Sequence, residues 1–129
     1  MDIRDTLKGK KRNPGEEEII INGLVSLLSY DKELVQNLTA GTLDQGYSRK
    51  LANKTKKDFG DCVRLGLVYI FEGKIYDAQR NFQEASSIPN RRLGPYLKAV
   101  SSNILIAYSF LNSAQSRMGI AKPKDAGAH

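Results

Sequence analysis

The chain has 129 residues, 40% hydrophobic and 26% charged, with one cysteine and a formal net charge of +6. That length supports one core without metals or disulfides, and a lone thiol at Cys62 excludes an internal disulfide framework. No apolar run approaches the roughly 18–20 residues of a membrane span; the basic balance points to an acidic partner without choosing among nucleic acid, anionic lipid and acidic protein.

Residues 1–12 crowd Lys8, Lys10, Lys11 and Arg12 around Gly9 and read as a flexible basic arm. They lack the apolar stretch of a secretory signal, so the protein is expected in the cytoplasm, in keeping with its single thiol. A helix start follows: Asn13 suits the N-cap, Pro14 the first helical position and Glu16 the acid of a capping box. Ile20, Leu24, Leu27 and Leu28 recur at helical spacing and predict a helix over about 14–29. A second, short helix is expected over 31–40, begun by Asp31. Gly41 and Gly46 then bracket a break.

From Tyr47 to Lys57 there is no acid, while Arg49, Lys50, Lys54, Lys56 and Lys57 supply five cations. This run is expected as a solvated helix, or a helix entry, leading into Phe59. The apolar period returns from Phe59 to Phe71 and stops at Gly73. A further helix is expected from about Tyr76 to Ile88, ended by Pro89, and a turn over 90–94. Pro95 opens what reads as one long helix, with Leu97, Val100, Ile104, Leu105, Leu111, Ala114 and Met118 along its apolar side. Residues 119–129 read as a disordered tail. The expectation is all-α: one domain over 13–118, a compact bundle of about five helices.

Within it, Cys62-x2-Leu65-Gly66-x2-Tyr69, followed by Ala78-x3-Phe82-x2-Ala85 and Pro89, resembles a tetratricopeptide (TPR) repeat over about 59–92. Cys62 stands where the family usually has Trp, and Pro89 arrives one residue early. The physical reason for the pattern is close helix approach. Gly66 and Ala78 remove bulk at the crossing, Tyr69 and Phe82 fill the space beside it, and Ala85 admits the next helix. A shift of 34 residues finds no second copy, so the flanking helices are expected to act as degenerate repeats or caps.

The resemblance implies a non-enzymatic adaptor, scaffold or chaperone-like subunit with a groove lined by the first helix of the pair. The groove positions are then Gly60, Val63, Arg64, Leu67, Ile70 and Phe71, with Val63, Leu67, Ile70 and Phe71 for contact and Arg64 for orientation. They suit a partner's helix or extended segment, or self-association, better than a carboxylate clamp, which needs polar residues at Val63 and Leu67. Internal packing of the same residues against 14–40 is the competing reading.

The rival function is a nucleic-acid- or ribosome-associated accessory protein, with Arg49, Lys50, Lys54, Lys56 and Lys57 binding anions. Tyr47 is its one candidate stacking surface, and a plain solvated face is its alternative. No enzyme, cofactor or metal site is expected. The only histidine is His129, Cys62 has no base to activate it, no phosphate-binding Gly-rich loop occurs, and Glu16, Glu17 and Glu18 fan around a helix. Asp58 and Asp61 are explained as acids at a helix start.

Overall fold

Residues 14–119 are described by the structure, a computed structural model. The basic arm, the Asn13 cap and residues 120–129 of the tail lie outside the described residues. Eight α-helices and no strand occur among those described.

Helix α1 (Pro14–Leu28) buries Ile20, Leu24, Leu27 and Leu28, the side read from the sequence. The Asp31 side chain caps α2 (Lys32–Ala40), accepting the Leu34 N–H at 3.0 Å. Helix α3 (Tyr47–Ala52) is only six residues long. Helix α4 (Phe59–Phe71) opens with a full capping box: Asp58 accepts the Asp61 N–H at 2.8 Å, and Asp61 accepts the Asp58 N–H at 3.1 Å. It closes at Gly73, whose φ of 78° releases the Lys74 N–H to the Tyr69 carbonyl at 2.9 Å. Helix α5 (Ile75–Ser86) follows at once.

Two expectations need correction. The basic run does not form one helix to Lys57, because α3 ends at Ala52. Six residues with no acid to pair their cations have little to propagate a helix, and the cap of α4 requires extended backbone at Asp58 (φ −84°, ψ 179°).

The last stretch is likewise three helices: α6 (Gly94–Ser102), α7 (Ile104–Ser109) and α8 (Leu111–Arg117). Ser101, Ser102 and Asn103 are residues whose side chains compete for backbone groups. Asn103 leaves the helical region (φ −127°, ψ 43°) and its Nδ2 donates to the Ala99 carbonyl at 2.9 Å, while Gln79 Nε2 donates to the Ser101 carbonyl at 2.8 Å. These breaks let α6, α7 and α8 all touch α1. A straight rod of the same length could not wrap it.

The core is one cluster drawn from α1, α2 and α4–α8 together with Leu93. The α4–α5 pair makes the most extensive contact in the molecule. At its centre Gly66 lies under Phe82: a Cβ on Gly66 would sit 2.8 Å from the Phe82 Cζ and nearer still to Cε1 and Cδ1. Ala78, Phe82 and Ala85 have no exposed surface. Helix α1 meets α6 in a similar way, where a Cβ on Gly23 would lie 3.1 Å from Val100 Cγ2.

Candidate functional site

The apolar groove positions are interior. Val63, Leu67 and Ile70 are each no more than 1% exposed, and Phe71 is half-buried against the core. Besides α5, helix α4 contacts α1, α2 and α3, so the chain itself covers the face that a docked segment would use. Arg64 is committed as well. Its Nε lies 2.9 Å from Asp31 Oδ2, and its guanidinium sits over the Tyr30 ring, 5.3 Å from the centroid. Tyr30 in turn meets Phe59 edge-on at 6.0 Å. The Asp31 carboxylate holds the Arg64 guanidinium more firmly protonated than usual. This clasp ties the α1–α2 connection to α4; it is not a free cation at the rim of a groove.

The basic run divides into free and occupied cations. Arg49 and Lys50 are exposed on α3, and Lys56 is exposed in the connection to α4. Lys54, by contrast, lies 2.8 Å from Asp61 Oδ2, a carboxylate only 6% exposed. That partner, aided by the N-cap hydrogen bonds, holds the Asp61 carboxyl below the ordinary aspartate value and raises the Lys54 ammonium. Lys57 is half-buried, its Nζ 3.4 Å from the Lys54 carbonyl. Of the five cations read from the sequence, Lys54 therefore serves the fold.

A pH dependence follows from Asp61. Its folded value is depressed, so the native state binds this proton more weakly than the unfolded chain does. The stabilisation is complete above the unfolded value, about pH 4, and is lost as pH falls through the folded one. Asp61→Asn should lower the urea midpoint at pH 7 and narrow its gap to the parent chain toward pH 3. An equal gap at both pH values would show that the charge contributes nothing.

Tyr47 does not join the cations. With Asp31, Glu33 and Asp44 it lines an open cleft of about 460 Å³, and burial, reinforced by the Asp31 charge, pushes its hydroxyl up. The inner side of α3 thus faces an acidic cleft, while Arg49 and Lys50 face solvent.

The structure also adds residues. Cys62 near the start of α4 lies 3.9 Å from Glu84 near the end of α5, and Gln79 near the start of α5 reaches Ser101 at the end of α6. Helices α4, α5 and α6 therefore alternate in direction, which brings the connection at 53–58 and the turn at 87–93 to the same end. Arg91 and Arg92, exposed in that turn, join Lys56 and Lys57 there. In the sequence they fall within the expected turn over 90–94; the signal was the up-and-down order of the helices, which puts alternate connections at one end.

Asp31, Asp58, Asp61 and Glu84 are acids of this end; Asp58 and Asp61 are engaged in the cap and Asp31 with Arg64. The Cys62 thiol is buried, and that burial, with the Glu84 charge, pushes it up, away from nucleophilic use. Among the described residues no cluster of three metal-ligating side chains occurs, and no helix is long and apolar enough to cross a membrane. No family model, curated protein or solved structure matches the chain.

Proposed function

We propose that the chain is a non-enzymatic helical docking protein, with α4–α5 as a TPR-like unit, and that its partner is an anionic macromolecule. The repeat-like reading is supported by the approach of Gly66 to Phe82 and by the complete burial of Ala78 and Ala85. The observation that carries the choice of partner is the gathering of Lys56, Lys57, Arg91 and Arg92 at one end of the helices, with Arg49 and Lys50 leading toward it along α3. Docking on Val63, Leu67 and Ile70 would require the chain to open its own core first. A basic end on a net-positive protein needs no such opening and draws an anionic partner over distance.

Heparin-column retention tests the reading. Replacing Lys56, Lys57, Arg91 and Arg92 by Gln should lower the salt needed for elution well below that of the parent chain. Replacing Lys74 and Arg80, which are paired with Glu72 and Asp77 in the α4–α5 turn and the first half of α5, should change it much less for each charge removed. Equal shifts per charge removed, four in the first set and two in the second, would mean that net charge alone acts, and the basic end would lose its role.

A further inference from the structure

We infer that the anionic partner is a nucleic-acid duplex held through its phosphates, with no reading of bases; this rests on the docking reading above. Two observations carry it. The first is the absence of a stacking platform among the described residues of this surface. Residues 49–57 and 87–93 contain no aromatic. The nearest rings are engaged elsewhere: Tyr47 lines the acidic cleft, and Tyr30, 36% exposed beside the start of α4, has the Arg64 guanidinium over its ring and Phe59 packed edge-on. Single strands are held by bases stacked on exposed rings as well as by charge. A surface offering cations alone meets a polymer whose bases are already stacked on one another.

The second observation is the division of the cations. Lys56 and Lys57 precede α4, whereas Arg91 and Arg92 precede α6, and α5 packs against both helices. Packed helices lie about 8–10 Å apart, so the two groups stand roughly one to two such spacings from each other. That separation suits phosphates on the two sides of a duplex groove, about 12 Å across for the DNA major groove. Arginine adds a planar fork that takes two phosphate oxygens at once. The exposed acids Asp58 and Glu84 lie between or beside the two groups and keep the end from being uniformly positive. The contact is then a small number of discrete phosphates.

Fluorescence anisotropy with the full chain tests this. The probes are two 20-base-pair DNA duplexes of unrelated sequence, an RNA duplex and a single strand of equal length, and a polyglutamate of similar charge. Four phosphate contacts give a slope of log affinity against log salt of about −3.6 on DNA, or about a hundredfold loss between 50 and 200 mM salt. The two DNA sequences should bind alike, single strand and polyglutamate more weakly, and Arg91→Gln with Arg92→Gln should flatten the slope by about two contacts' worth. A preference between the DNA and RNA duplexes tells which duplex is used, and either upholds the inference.

Stronger binding to the single strand, or binding to polyglutamate as tight as to duplex, overturns the duplex inference and leaves anionic docking standing. No binding to any of these probes, together with no heparin retention, overturns both. Thermal unfolding of the double variant, altered only at exposed turn residues, checks that the fold is intact.

Discussion

Phe82→Ala should cost about 3–5 kcal/mol of stability, the range for emptying a large aromatic site in a close-packed core. For a chain of this size that is a fall in Tm on the order of 10–20 °C. Phe82 has no exposed surface, and its ring covers Gly66, where the middle of α4 lacks a side chain. Removing the ring leaves a void bounded by the Gly66 backbone, which has nothing to fill it. Phe82→Leu keeps part of the volume and should lose less. Leu67→Ala provides the informative comparison. Its position reads from sequence as a partner contact, yet at 1% exposure it should behave as core and lose about 2–5 kcal/mol. If Leu67→Ala left the unfolding curve in place while Phe82→Ala shifted it, the groove would be open after all.

The second large effect belongs to the other side of the same contact. An exposed helical glycine changed to alanine usually gains up to about 1 kcal/mol. Gly66→Ala should instead destabilise, by about 1–3 kcal/mol, because the added methyl falls within contact distance of three atoms of the Phe82 ring. The ring is enclosed, so it cannot swing aside without moving α4 and α5 apart. Phe82→Leu combined with Gly66→Ala should recover part of the loss, since the smaller side chain admits the methyl. A coupling of about 0.5–3 kcal/mol is the normal range for residues in contact. Chemical denaturation of the two single variants and the double variant measures it, and simple additivity would show that Gly66 and Phe82 do not meet.

These two residues also mark how far the sequence could be read. The Leu-Gly…Phe spacing is local in origin, and it located the tight approach because bulk is missing only where something else must fit. Gly23 makes a comparable approach to Val100 and carried no such signal, since a single glycine in an apolar helix has many explanations and its partner lies 77 residues away. The helix starts at Asp31 and at Asp58 and Asp61 were legible for the same local reason, though the capping role of Asp58 was not: a capping side chain bonds within three residues of itself.

The candidate site was legible in part. Charge and exposure of Arg49, Lys50 and Lys56 follow from an acid-free run. The commitment of Lys54 to Asp61, seven positions on, needed α3 to end early and the chain to turn back on α4. Arg64 likewise looked free until the fold set Asp31 beside it.

By itself, then, the sequence determined an all-helical chain, the positions of most helix starts and stops, and which residues would be apolar enough to form a core. Those properties rest on backbone hydrogen bonds and side-chain periodicity within a few residues, and they are written locally. Tertiary structure alone decided that Val63, Leu67 and Ile70 face inward onto their own chain, that the final apolar run bends at Asn103 and Phe110 to wrap α1, and that Arg91 and Arg92 stand at the same end as Lys56 and Lys57. Each depends on which helix lies against which, a choice made by fitting whole surfaces together, and no window of sequence contains both surfaces.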